Sequence, residues 1–266
     1  MFRASTILLA LAAVIFGCWQ LFASKSEADN KARDKPSIEL MTSLPIIWGE
    51  GSSMEKILSG DASPAAIYEY WQSQYDLKAV DSLEGLTGRD TDIVMLAQPR
   101  AMDPADIALL DDWIRKGGHA IILTDPALVW HSDLPIGDSQ RPLASGMLSP
   151  LLQYWGLELL APDDERAGLV ELEFDDFSIT TAGVGSFAEL QQASEAKAVC
   201  LMSAGGIMAR CKVGRGQAIL VADADFLNQE LWPDASALET GGETQAMRFT
   251  DMLLAESGDV SSVSND

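Results

Sequence analysis

The chain has 266 residues, of which 47% are apolar, enough for a sizeable core and too many for a disordered chain. Asp and Glu number 40 against 18 Lys and Arg, a formal net charge of -22. A surface this acidic repels phosphate backbones and anionic lipid headgroups, which argues against nucleic acid as a partner.

The first 36 residues differ from the rest. Ala4 to Ala23 carries no formal charge, follows Arg3 and precedes the charged stretch Lys25 to Lys35. Its length matches one helical crossing of a hydrocarbon layer roughly 30 Å thick. With no clean small-x-small cleavage site before Lys25, residues 1–23 read as an uncleaved inner-membrane anchor and 24–36 as a charged linker. Cys18 follows Gly17 and an apolar run, which leaves lipoprotein attachment through that cysteine as the alternative. The four basic residues after the segment would hold the body in the cytoplasm. Cys200 and Cys211 point the other way. A turn at Gly205 and Gly206 pairs them across two strands at disulfide distance, and such a bridge lasts only in an oxidising compartment. A register slip of one residue would instead leave two separate buried thiols. The expectation adopted is a single-pass protein with its body in the periplasm.

From Ser37 the pattern is that of a folded α/β domain extending to Glu256. Apolar runs at 38–47, 92–97 (DIVMLA), 120–124 (AIILT) and 218–222 (AILVA) lack alternation, as strands covered on both faces do. Helices are expected between them. One is capped by Ser63, starts at Pro64 and carries Ile67, Tyr70 and Trp71. A second opens at Asp103–Pro104, presents Ile107, Leu110 and Ile114, and stops at Gly117. A third covers 148–155, and a fourth covers 243–256 with Ala246, Phe249 and Leu253 on its apolar face. Between Leu157 and Lys212 alternating segments such as LVELEF and FSITT predict an antiparallel extension leading into the Gly205 hairpin. The fold class is therefore an open, mostly parallel sheet with that extension and hairpin. Residues 257–266 read as a disordered polar tail.

Several chemistries lack their motifs. The sequence has no GxxxxGK[ST] loop, GxSxG elbow, HExxH helix or CxxC pair, and it calls for no cofactor or metal. His119 opens a strand and His131 lies in a loop, with no nucleophile matched to either. In open α/β sheets ligands bind beyond the carboxyl ends of the strands. The residues just after the apolar runs that form the candidate ligand-binding set are Trp48, Glu50, Gln98, Arg100, Asp125, Trp130, Asp223 and Asp225, with Trp232 nearby. Flat indole faces and hydrogen-bond-accepting carboxylates suit sugars, peptides or Ca²⁺. The competing structural reading makes the aspartates turn caps and the tryptophans covers for the sheet edge.

The segments SLPIIWGEG, AQPR, LDDWIRKGGHAIILTDPALVW, GDSQRP, PLLQYWGLEL and CKVGRGQAILVADADF resemble a family of uncharacterised bacterial proteins, chiefly alphaproteobacterial. That family is similar to the auxiliary components of gliding-motility-type ABC transport systems. The resemblance covers most of Ser37–Leu227. It implies a flavodoxin-like sheet related to the class I glutamine amidotransferase fold, tethered to the membrane and facing the periplasm. The nucleophilic cysteine and the histidine of the amidotransferases have no counterpart here. The resemblance implies a non-catalytic domain that binds a partner or ligand for an envelope ABC transporter, whose subunits are the expected partners. The alternative is a hydrolase of envelope glycans or peptides working through Glu50, Asp125 and Asp225.

Overall fold

A computed structural model describes residues 35–49, 52, 54–138, 140–174, 177–190 and 196–258. The chain divides at Pro36–Ser37. The expected anchor at 4–23, Cys18, the linker up to Asp34, Glu50 and the tail from 259 lie outside the described residues. Among those described, no helix is long and apolar enough to cross a membrane.

The strands are β1 (Ser37–Thr42), β2 (Asp76–Ala79), β3 (Ile93–Ala97), β4 (His119–Leu123), β5 (Leu157–Leu160), β6 (Leu169–Glu173), β7 (Ser178–Ala182), β8 (Ser186–Glu189), β9 (Val199–Ser203), β10 (Met208–Val213) and β11 (Gly216–Val221). The helices are α1 (Met54–Ser59), α2 (Ala66–Gln74), α3 (Pro104–Arg115), α4 (Ser149–Trp155) and α5 (Gln245–Gly258). Seven strands form the main sheet in the order β2-β1-β3-β4-β11-β10-β9. The first five are mutually parallel, and β10 and β9 add antiparallel. The parallel part follows the 2-1-3-4-5 order of doubly wound sheets, which reverses direction between β1 and β3.

The unbroken apolar runs are explained by two cores, one on each face. Ile38, Leu40, Met95, Ile121 and Ile219 pack beneath α2 and α5, where Trp71 is fully buried and its indole N–H donates to Thr250 at 3.1 Å. Their neighbours of opposite parity, Met41, Val94, Leu96, Ile122 and Leu220, pack against Leu110 and Ile114 of α3 and Leu151, Leu152 and Trp155 of α4. Asp103 caps α3 by accepting from the Ala105 N–H at 2.8 Å.

Several local expectations need correction. The first strand ends at Thr42, because Leu44–Ile47 turn over the sheet edge. Ser63 is not a cap. The Ala65 N–H is held by the Ile46 carbonyl at 2.9 Å, and α2 starts at Ala66 with Ile67, Tyr68 and Trp71 buried and Tyr70 packed partly buried against them. The polar edge strand β2 went unread, since its DLKA sequence is almost wholly exposed and gives no apolar pattern. The antiparallel extension is not one piece. β5 pairs with β8 and β6 with β7 as separate ladders, and only β9–β10 joins the main sheet. α5 continues to Gly258, beyond the boundary expected at Glu256.

Cys200 lies opposite Cys211 in the β9–β10 register, and a disulfide joins them. The turn between the strands places Ala204, Gly205 and Gly206 at positive φ, and Ile207 donates to the Ala204 carbonyl at 3.2 Å. It therefore spans four residues and keeps the register of a two-residue turn.

Candidate functional site

Two regions stand at the carboxyl edge of the parallel strands, and the predicted residues divide between them. At the β1/β3 reversal point the loop after β1 is anchored by Ser43. Its N–H and hydroxyl both donate to the Gln98 carbonyl, at 3.0 and 2.6 Å. Beyond that anchor lies a cavity of about 310 Å³ whose lining includes Thr42, Leu44, Ile47, Trp48, Arg100 and Pro142. Trp48 is 51% exposed there. A second cavity of about 590 Å³ shares Thr42, Asp81 and Arg100 with the first and extends to Met102 and Asp106. Arg100 is exposed, and its guanidinium reaches the Arg141 carbonyl at 3.4 Å. The first cavity combines an indole face, hydroxyls, the Arg100 guanidinium and the Asp81 carboxylate, groups suited to grip a polar or peptide-like guest. Asp81, in the loop after β2, was missed because β2 itself was missed.

Gln98 belongs underneath this crevice. It is fully buried with φ of 45°, a conformation that few side chains other than glycine adopt. Its side-chain amide donates to the carbonyls of Asp125 (3.1 Å) and Leu143 (3.0 Å), while Oε1 accepts the Asp125 N–H at 2.8 Å. It ties the loop after β3 to the loop after β4, and its side chain faces no solvent.

The second region lies beyond β4 and β11. Asp125, Asp223 and Asp225 each have 0% exposure, and one carboxylate oxygen of each lies within 4.8 Å of the others. Asp125 accepts from the N–H groups of Ala127 (2.7 Å) and Ala224 (3.2 Å). Asp223 accepts from Asp225 at 2.9 Å, and Asp225 accepts from Val129 at 2.7 Å. Burial pushes Asp125 up to about 6 despite these donors. It raises Asp225 to about 7, helped by the charge of Asp125. Asp223 is held well above the ordinary carboxylate range, first by burial and then by Asp125.

The roof over this cluster explains its burial. β7 lies against the turn that carries Asp225, and the segment after it packs on the loop from Pro126 to Trp130. Gly183, at φ of 63°, would bring a Cβ within 2.9 Å of the Ala127 carbonyl, and Gly185 would bring one within 2.4 Å of Pro126. Only glycine allows that approach. The expectation that these aspartates line an open rim is therefore corrected: they are fully buried. Of the three carboxylates of the hydrolase alternative, Asp125 and Asp225 lie together and buried, and Glu50 lies outside the described residues. Trp130 packs half-buried against the core, and Trp232 is core, its indole N–H donating to the Phe226 carbonyl at 2.7 Å.

Neither histidine joins a site. His131 is exposed beside Asp133 at 3.2 Å. His119 sits at the start of β4, its pKa lowered by burial and by Lys212.

Fold and site together define a doubly wound α/β domain with an open crevice at its reversal point and a closed acidic cluster beside it. Residues 35–162 match the model of an ABC transport auxiliary family, described as an ABC-type uncharacterized transport system. The match points to an accessory of such a system. No curated protein matches the chain in sequence. Among solved structures, the chain is similar to exo-beta-1,4-mannosidase Op5Man5 from Opitutaceae bacterium strain TAV5 at 15% identity and a TM-score of 0.44, covering 88% of this chain and 39% of that one. It is also similar to the mmIFT52 N-terminal domain at 12% identity and a TM-score of 0.44, with 82% and 95% covered. A third is Cytoplasmic Protein STM3548 from Salmonella typhimurium, at 11% identity and a TM-score of 0.41, with 81% and 98% covered. This chain thus spans well under half of the mannosidase's length.

Proposed function

We propose that the protein is a membrane-anchored accessory of an envelope ABC transport system, holding a partner or ligand in the β1/β3 crevice and breaking no bonds itself. One observation carries the reading: every residue lining the crevice, from Thr42 to Pro142, falls inside the segment 35–162 that matches the transport family. The feature expected to bind and the segment that matches the family coincide. The apolar segment at 4–23 supports tethering in the inner membrane, and the Cys200–Cys211 bridge supports a periplasmic body. An amidotransferase-like ancestry, in which the shape is kept and the nucleophile is absent, fits the same picture.

The test is site-directed crosslinking. A photoreactive residue in place of Trp48, in cells, is expected to capture a transporter subunit or another envelope component, and Arg100→Glu is expected to abolish the adduct. Crosslinking that ignores Arg100→Glu, or no adduct from any position around the crevice, would reject the reading.

A further inference from the structure

We propose that Asp125, Asp223 and Asp225, together with the hydroxyl of Thr181, form a buried site for one hard divalent cation of the Ca²⁺ kind. Distance supports it first. Ca²⁺ binds oxygen at about 2.3–2.6 Å, so two oxygens sharing an ion lie at most about 5 Å apart. The three carboxylate oxygens here fall within 4.8 Å of one another. A single ion reaches all three without rebuilding the backbone.

Unused valence is the second and independent observation. After the backbone N–H donors are counted, Asp223 Oδ2 and Asp225 Oδ1 remain buried with no hydrogen-bond partner. The Thr181 hydroxyl on β7 is also fully buried and unpartnered. From β7 it stands beside the Asp223 carboxylate. Buried polar atoms left in this state are costly, and here three of them belong to side chains of one cluster.

Charge completes the argument. Among the described residues no Lys, Arg or His forms an ion pair with any of the three aspartates. Three carboxylates in an apolar interior need either protons or a cation. All-oxygen donors favour a hard ion over zinc, which takes nitrogen and sulfur. The dry enclosure favours Ca²⁺ over Mg²⁺, which gives up its waters reluctantly. With the glycine-enabled roof above it, the ion enters during folding or a local opening and leaves slowly. The site would fix the loops after β4 and β11 in place, and Gln98 would pass that order to the crevice.

The test uses the full-length protein purified without chelator and then stripped with EDTA. Elemental analysis is expected to find about one Ca²⁺ per chain before stripping. Adding 1 mM CaCl₂ at pH 7.5 in 0.5 M NaCl is expected to raise the melting midpoint by roughly 5–10 °C, whereas the salt suppresses loose association with the acidic surface. Asp223→Asn and Thr181→Val should each remove most of that shift. No bound metal together with no Ca²⁺-dependent shift in the wild type would overturn the proposal, leaving protons as the neutralising species. A shift that survives intact in both variants would overturn it too, by placing the ion elsewhere. If Asp223→Asn does not fold, Thr181→Val and the metal content of the wild type decide.

Discussion

The two carboxyl-edge regions come from the same kind of sequence: an apolar strand followed by a polar turn. Beyond β1 and β3 the turn stays open, and Trp48 and Arg100 face a cavity. Beyond β4 and β11 the turn is covered by β7 and the segment after it, and three aspartates lose all contact with solvent. A strand's carboxyl end nominates a binding residue, but the segment above it decides whether the residue meets a ligand or the interior. Gln98 belongs to both regions, since its backbone carbonyl anchors Ser43 and its side chain clamps Asp125.

The contrast is broken most strongly by pH. Asp125 and Asp225 are raised from 3.8 to about 6 and about 7. In that window the folded state holds protons that the unfolded state has released, so stability falls as pH rises from about 4 to about 7. For the EDTA-treated protein, lowering pH from 8 to 5 is expected to stabilise on the order of 4 kcal/mol, a midpoint rise of roughly 10 °C. A midpoint that is flat or falls over this range would show that the aspartates are not sealed as described.

Cutting the link between the regions comes next. Gln98→Ala leaves the Asp125 N–H and the Leu143 carbonyl without their partners, while the Asp125 carbonyl keeps only the Gly146 N–H, so a loss of about 1–3 kcal/mol is expected in urea unfolding. The smallest effect belongs to the open side. Trp48→Ala and Arg100→Ala should each change stability by less than about 0.5 kcal/mol while weakening capture of the partner, which separates a binding surface from a structural one.

Much of the scaffold was legible in the sequence. The runs at 92–97, 120–124 and 218–222 could be read because strands covered on both faces need no alternation, and α3 because Asp103, Pro104 and the Gly117–Gly118 stop are local signals. β2 was illegible for the opposite reason, since an exposed edge strand has no apolar pattern to show. In the candidate set, Trp48 and Arg100 stand where strand-end reasoning puts them. The aspartates were collected correctly as neighbours and misjudged as accessible, because their burial depends on β7 and the segment after it, far from each of them in the chain.

The sequence alone determined the acidic surface, the apolar segment at 4–23, the alternation of strands and helices and the missing catalytic motifs, all of which follow from composition or from residues close together in the chain. Tertiary structure alone decided which strand ends stay open, that Gln98 joins two loops, and that Thr181 meets Asp223. Those outcomes depend on contacts between distant segments, and no local pattern encodes which segment will fold over another.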